Sequence, residues 1–404
     1  MPNFANRMLH AQPSAVIKVA EKVQALKKQG RDVISFSIGV PNFLPAKHVY
    51  QAAHNAIDGD SGTYLPGRGS EELVNAFIQC MATKGLDYGA HEVAAAVGGK
   101  QALFHILMAA LNEGDEVLIP APYWTSYPDM VTLLGGTPVF LHCPSTQNYK
   151  LKPEQIAKAI TPKTKVFMFN NPSNPTGMVY TKAEIKALGD ELEKHDIWII
   201  SDDIYDRMIF DGETFHHLLH TNPKLRDRVL CVQSISKNYG MPGWRVGMVA
   251  GPEGFIQHLL TLNSNSITNI NNISMAAAAA AFGGDQQFSD DSMAVFAQKR
   301  DVVMKALQGI SYLSCPVPKG AFYAFPDVSA YYGKTHDGVL ITDDITLCTQ
   351  LLEKKGLALV PGSAFGEAKG VRISYACPSA QLERGLALFA EFFAEMRAQN
   401  KIAS

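Results

Sequence analysis

The 404-residue sequence predicts an α/β fold in which a mostly parallel sheet is covered by helices on both faces, and three observations carry that prediction. Short apolar runs alternate with longer helical patterns, as crossover units feeding parallel strands do. Polar clusters begin where several of these runs end, which is where open α/β sheets bind ligands. After Asp285 the texture changes to a long helical stretch followed by short strands, so a smaller α+β unit follows the large one. The length also favours two domains over one.

Taken in order, Ser14 to Lys28 has a helical pattern expected to pack with the later unit. Residues 1–44 then form an arm and part of a small domain, residues 45–290 the large domain, and residues 291–404 the rest of the small one. A β-like run precedes Val97-Gly98-Gly99-Lys100-Gln101, which opens a helix. Leu103, Ile106, Leu107, Ala110 and Leu111 recur at helical spacing until Asn112-Glu113-Gly114-Asp115, a helix-end and turn composition. Strand-like runs follow at Glu116 to Pro120, Val166 to Asn170, Ile197 to Ser201, Arg228 to Val232 and Val246 to Gly251. Asn263 to Ser274 reads as a polar loop, and the alanine run Ala276 to Ala281 as a tightly packed helix. Beyond Phe282-Gly283-Gly284-Asp285, helix leads to Lys319-Gly320-Ala321-Phe322-Tyr323-Ala324-Phe325 and to strands at Ala358 to Val360 and Val371 to Tyr375. No period of 20–50 residues repeats.

Composition excludes several function classes. A formal net charge of −2 and a pI near 6.6 provide no global field for nucleic acid or an anionic membrane. Met1 to Gln12 lacks a long hydrophobic core, so neither a secretory signal nor a spanning segment is expected, and a soluble cytoplasmic protein is. The six cysteines are dispersed and mostly lie in apolar runs, which predicts reduced, structural thiols. No His-Glu-x-x-His or paired Cys/His spacing suggests a metal, and His216-His217 reads as a solvated loop.

Three polar clusters start at strand ends: Asn170 to Gly177, Ser201 to Tyr205, and Ser234 to Lys237. Meeting at one sheet edge, they supply what a phosphorylated pyridine aldehyde needs. Lys237 offers an amine for imine formation and then for proton transfer. Asp202 offers a carboxylate to keep the ring nitrogen protonated, which makes the ring an electron sink. Asn174 and Tyr205 can bond the ring's phenolic oxygen. For the phosphate there are the amides at Gly98-Gly99, where a helix opens, the hydroxyls of Ser234 and Ser236, and the planar fork of Arg245. Neither GxGxxG nor GxxxxGK[ST] occurs, which argues against nicotinamide and nucleoside-triphosphate readings. Arg372 interrupts a strand-like pattern where an unpaired charge is costly, so it is expected to meet a substrate carboxylate. Trp124 offers a flat face to the ring. Singly, each residue has a bland counterpart: a surface lysine, a helix cap, a core tryptophan, an internal ion pair. Jointly, in this order and at strand ends, the bland account needs many independent coincidences.

With those residues in view, the sequence resembles the fold-type-I, pyridoxal-phosphate-dependent aminotransferases of class I/II, and especially bacterial aspartate aminotransferases. The likeness runs over almost the whole chain. It includes Gln12-Pro13-Ser14, Gly39-Val40-Pro41-Asn42-Phe43, Tyr64 with Gly67, Gly98 to Phe104, Pro122-Tyr123-Trp124, Asn174 to Gly177 and Asp202 to Tyr205. It continues through SISKNYGMPGWRVG at 234–247, KGAFYAF at 319–325, PGSAFG at 361–366 and VRISYA at 371–376. The resemblance implies a large domain with a seven-stranded sheet, pyridoxal 5'-phosphate as cofactor, and amino-acid and 2-oxo-acid substrates. It implies Lys237 as the Schiff-base lysine, Asp202 as the pyridinium partner and Asn174 and Tyr205 as partners of O3′. Gly99, Lys100, Gln101, Ser234, Ser236 and Arg245 match the phosphate side, with Trp124 on the cofactor ring. Gly39, Trp124, Asn174 and Arg372 match positions that bind the substrate's α-carboxylate end, and Lys100 is expected to reach the substrate as well. Tyr64 matches a tyrosine that contacts the phosphate across a dimer interface, so a homodimer is implied. Asp203 stands where Glu is usual, Pro242 where Thr is common, and Val40 and Asn42 where acidic residues are usual.

The substrate follows from one absence and one presence. No lysine or arginine lies between Arg245 and Lys299, the region from which one aspartate aminotransferase subgroup takes an arginine for the side-chain carboxylate. Another subgroup uses the lysine of the Gly-Gly-Lys turn, and Lys100 is that residue, so aspartate with 2-oxoglutarate is the expected pair. Gln12, where prephenate-using relatives tend to carry a basic residue, weighs against prephenate. Aromatic, alanine or kynurenine donors remain open, as do a β-lyase or synthase of the same fold. A cofactor-sensing regulatory domain is disfavoured, because recognisable family sequence begins by Gln12 and leaves little room for a DNA-binding extension.

Overall fold

The computed structural model describes residues 4–9, 13–59 and 61–400. At its centre seven strands form one sheet: β2 (Val93–Ala96), β3 (Glu116–Ala121), β4 (Thr137–His142), β5 (Thr164–Asn170), β6 (Trp198–Asp202), β7 (Val229–Ser234) and β8 (Gly247–Ala250). Their order is β2-β8-β7-β6-β5-β3-β4, and only β8 runs antiparallel to its neighbours. Every residue of β7 is buried, as are the four that precede Asp202 in β6 apart from Trp198, because a sheet covered on both faces needs near-continuous apolar runs. β4 escaped the sequence reading because it lies at the sheet edge with most of its residues partly exposed, which blurs its apolar run.

Helices α2 (Lys47–Asp58), α3 (Glu71–Ala82), α4 (Gly98–Ala110), α5 (Tyr127–Leu133), α6 (Pro153–Ala159), α7 (Lys182–Leu192), α8 (Leu218–Thr221), α9 (Ile235–Asn238), α10 (Glu253–Ser266) and α11 (Asn272–Gly283) surround this sheet, after an N-terminal α1 (Ala15–Lys28). The alanine run lies in α11, where Ala277, Ala278 and Ala281 are fully buried and allow close packing on α2 and α3. The expected polar loop at Asn263 to Ser274 is a correction: α10 continues to Ser266 and α11 starts at Asn272. Asn263 is buried and donates through Nδ2 to the carbonyls of Gly67 (3.0 Å) and Ala95 (2.9 Å), so a polar residue there marks an internal tie.

The smaller unit joins the beginning of the chain to its end. β1 (Ile34–Ser35) pairs in parallel with β12 (Leu357–Ala358), while β9 (Tyr323–Ala324), β13 (Val360–Pro361) and β14 (Val371–Ser374) form an antiparallel sheet in the order β13-β14-β9. A hairpin of β10 (Lys334–His336) and β11 (Val339–Ile341) and helices α12 (Gln287–Gln308), α13 (Asp344–Lys355) and α14 (Ser379–Asn400) complete it. Ile34 and Phe36 share one apolar cluster with Phe296, Leu347, Phe389 and Phe392. Gly385 is required there, since a Cβ at that position would stand 2.2 Å from the Phe36 ring. His217 is a second correction: it is fully buried, not solvated. Among the described residues no helix is long and apolar enough to cross a membrane, and Gln12 lies outside them.

Candidate active site

Parallel register lines up the carboxyl ends of three strands. Asn170 ends β5, Asp202 ends β6 and pairs with it, and Ser234 ends β7 one residue before α9, which carries Lys237. Facing this edge are the start of α4 with Gly98 and Gly99, Trp124 ahead of α5, Gly39 in the segment after β1, and Arg372 on β14. Two adjoining cavities of about 210 and 150 Å³ share Lys100, Trp124, Asp202, Ile204 and Lys237. The first also holds Gly39, Asn174, Tyr205 and Arg372, and the second Gly99, Ser234, Ser236 and Arg245. Gly98, Gln101 and Tyr64, all named from the sequence, line neither cavity. Gln101 Oε1 accepts from the Val97 amide (2.6 Å), and Tyr64 is 81% exposed on the surface of the single chain.

The electrostatics of the cleft are set by burial. Lys237 Nζ donates to the Gly39 carbonyl (2.6 Å), and burial, assisted by Arg372 and Arg245, lowers its ammonium to about 8. Burial pushes Asp202 up to about 6 against a hydrogen bond from Tyr127 Oη to Oδ2 (2.5 Å). Its other oxygen, Oδ1, is buried without a hydrogen-bond partner. Asn170 fixes the neighbourhood: its Nδ2 donates to the Asp202 carbonyl (2.8 Å) and its Oδ1 accepts from the Asn174 amide (2.9 Å). The Tyr205 hydroxyl lies 3.0 Å from that of Tyr323, and burial pushes its pKa well up.

Arg372 is 2% exposed and is held by neutral acceptors, the Asn174 Oδ1 (3.0 Å) and the Ser37 carbonyl (2.6 Å), while its Nε has no partner. The guanidinium lies against the rings of Tyr323 (4.6 Å) and Phe365 (4.9 Å), and among the described residues no carboxylate pairs with it. A buried cation held this way suits a visiting carboxylate, which recovers the electrostatic cost of its burial.

On the opposite side of Lys237, Gly98 has φ +77°, and a Cβ there would stand 2.4 Å from the Arg245 guanidinium. Glycine therefore lets the arginine rest on the helix start, where Nη2 donates to the Val97 carbonyl (3.1 Å). Ser234 Oγ accepts from the Ser236 amide (3.1 Å) and lies 2.7 Å from Ser236 Oγ. Helix amides, two hydroxyls and a guanidinium fit a phosphate; the orphaned Asp202 oxygen fits a protonated ring nitrogen; and an amine with a lowered pKa lies between them. The residues present thus match pyridoxal 5'-phosphate.

Sequence reasoning missed Tyr127, the donor to Asp202, and did not assign Tyr323 or Asn170 a role, although both lie in segments it singled out. The available signal for Tyr127 was its spacing: three residues after Trp124, it makes an edge-to-face contact with that ring at 5.5 Å. Behind the edge, Asp203, His217 and Cys231 bring potential ligand atoms within 4.8 Å of one another. His217 Nδ1 accepts from the Leu219 amide (3.1 Å), which leaves the proton on Nε2, 3.2 Å from Cys231 Sγ and 3.4 Å from Asp203, so the hydrogen bond within this cluster runs between His217 and Cys231.

The family described as aminotransferase class I and II matches residues 31–389. An aspartate/prephenate aminotransferase of Cereibacter sphaeroides is 42% identical over 98% of this chain and 99% of its own length. The crystal structure of the aspartate aminotransferase from Rhizobium meliloti superposes with a TM-score of 0.95 at 36% identity, covering 98% of this chain and all (100%) of that one. That of Thermus thermophilus with maleate gives 0.90 at 33% identity, covering 97% of this chain and 100% of that one.

Proposed function

The chain belongs to the aminotransferases of class I and II and has their fold-type-I architecture, and from that premise we propose that it moves the amino group of L-aspartate to 2-oxoglutarate by a ping-pong cycle on pyridoxal 5'-phosphate. The observation that carries this reading is one cavity lined together by Lys237, Asp202, Lys100 and Arg372. Gly99, Ser234, Ser236 and Arg245 would hold the phosphate, Asp202 Oδ1 the ring nitrogen, Asn174 and Tyr205 the phenolic oxygen, and Trp124 one face of the ring. Bound there, the cofactor supplies an aldehyde that exchanges amines and a protonated ring that accepts an electron pair from the α-carbon.

The chain's own residues do the rest. Lys237 would hold the cofactor between turnovers, and its Nζ, once freed by the substrate amine, would take the substrate's α-proton and keep it for return. With its pKa lowered to about 8, a useful fraction is the free base near neutral pH. Arg372 receives the α-carboxylate beside Asn174 and Gly39, and Lys100, which lies 4.9 Å from the Trp124 ring centroid, receives the distal carboxylate. A small domain of residues 1–44 and 291–404 closes on the large domain, 45–290, to exclude water. Exposed Tyr64 reaches the phosphate of a second copy, which makes a homodimer the working unit. We place the protein in the cytoplasm.

Aspartate is favoured because the span between Arg245 and Lys299 offers no basic residue, Lys100 lines the substrate cavity, and solved relatives are aspartate aminotransferases, one of them with maleate, a dicarboxylate. Prephenate is the second reading, on the name of the Cereibacter relative, against the presence of Gln12. The test follows the purified protein's cofactor absorption while single amino acids are added. Aspartate and glutamate should convert the band and release an equivalent of 2-oxo acid. Ammonia and pyruvate would identify a β-lyase, and a band that no amino acid alters would defeat the proposal.

A further inference from the structure

Behind the cleft lies a buried acid that the reaction does not use. Asp206 follows Tyr205, is 5% exposed, and accepts hydrogen bonds from three separate segments. Lys84 Nζ, in the turn after α3, reaches Oδ2 at 2.5 Å, Gln233 Nε2 on β7 reaches the same oxygen at 2.9 Å, and Asn238 Nδ2 on α9 reaches Oδ1 at 2.7 Å. Asn238 adjoins Lys237, and its carbonyl accepts from Ser289 Oγ (2.9 Å) on α12. One carboxylate therefore ties the segment bearing Asp202 and Tyr205 to the short helix bearing Lys237, and through Ser289 to the helix that leads into the smaller unit.

A charge in such a place needs a reason. Burial acts to lower Lys84, yet the charge and hydrogen bond of Asp206 outweigh it and its pKa is raised, so the two remain an ion pair. An ion pair buried this deeply contributes little stability compared with an apolar replacement, but breaking it by removing one partner is costly. That asymmetry suits a part whose use is geometric. The other charged groups around Lys237 are Arg372, Arg245, Asp202 and Lys100; Arg207, paired with Asp290 (2.7 Å), and Asp203 stand beside the Lys84–Asp206 pair.

We infer that Asp206 is a positioning residue: it fixes the amine of Lys237 and the hydroxyl of Tyr205 relative to one another. The inference rests on the proposed reaction. Its test uses the full-length, cofactor-loaded protein and the pH midpoint of the cofactor absorption band, beside donor kinetics and Tm. Asp206→Asn keeps the shape but replaces an accepting oxygen with a donating amide, so the bonds from Lys84, Gln233 and Asn238 cannot all persist, and the midpoint should shift by about half a unit or more as the Lys237 amine moves. kcat should drop about tenfold, the effect of one lost charged hydrogen bond, with KM for the donor changed less than about twofold. Lys84→Met removes one of the three donors to Asp206 and should move the midpoint as well, whereas Lys84→Arg should leave it in place. If Asp206→Asn does not fold, the two Lys84 variants decide by the same readout. Variants that lower Tm while midpoint and kcat stay at wild-type values overturn the inference and make the cluster purely structural. A wild-type protein with no lysine-borne cofactor band overturns the underlying reaction instead.

Discussion

Replacing Tyr127 by Phe removes a single hydroxyl from the cleft. The ring is 3% exposed, packs against Trp124, and keeps its volume, so the loss falls on the bond from Oη to Asp202 Oδ2 at 2.5 Å. A hydrogen bond to a charged group contributes about 1.5–3 kcal/mol, and each pKa unit corresponds to about 1.4 kcal/mol, so the Asp202 carboxyl should rise by about one to two units. It starts at about 6, because burial raises it while the Tyr127 bond holds it down. The variant's carboxyl should then titrate at about 7–8, and at neutral pH much of it would be protonated and unable to pair with a protonated pyridine nitrogen. Cofactor affinity, measured by quenching of tryptophan fluorescence between about pH 5.5 and 9, should show an acid limb displaced upward by that amount, with wild type and variant converging at the alkaline end. An unmoved acid limb, or a uniform loss at every pH, would refute the reasoning.

Three further outcomes are expected. In the cofactor-free protein, Lys237 should react with an amine-modifying reagent half-maximally near its pKa of about 8, as read by mass mapping; a midpoint in the ordinary lysine range contradicts the desolvated site. Lys100→Ala should lower kcat/KM for aspartate about 10- to 100-fold, the cost of a charged hydrogen bond, and leave alanine nearly unchanged; an equal loss for both amino acids removes Lys100 from the distal carboxylate. Asp202 has its folded pKa raised from 3.8 to about 6, so its contribution to stability is complete below the unfolded value and lost as pH rises through about 6. Cofactor-free Asp202→Asn should therefore exceed wild type in stability by ~3 kcal/mol at pH 7, with the gap closing below about pH 4; calorimetry showing no gap at pH 7 counts against it.

The parallel strands could be read from the sequence because β5, β6 and β7 are covered on both faces and carry apolar runs that end in polar residues. β4 could not, since an edge strand half exposed to solvent has no such run. Lys237, Asp202, Asn174, Ser234 and Ser236 were visible because sheet topology alone gathers strand ends at one edge. Arg372 was visible as a charge inside an apolar strand, though its neighbours are neutral acceptors. Tyr127 and Asp206 act through partners 75 and 27 or more residues away, and no local pattern names those partners. His217 misled for the converse reason: paired histidines look solvated, but its ring caps the start of α8 and packs beside Asp203. Asn263 likewise looked like loop because its polar side chain gives no hint of the two carbonyls it binds within the core.

The proposed reaction depends on the amine at position 237 carrying the cofactor. Sodium borohydride reduction of the loaded protein, followed by proteolysis and mass mapping, tests that directly. The predicted result is one reduced pyridoxyl adduct on the peptide containing Lys237; an adduct on another lysine, or none at saturating cofactor, would contradict the account.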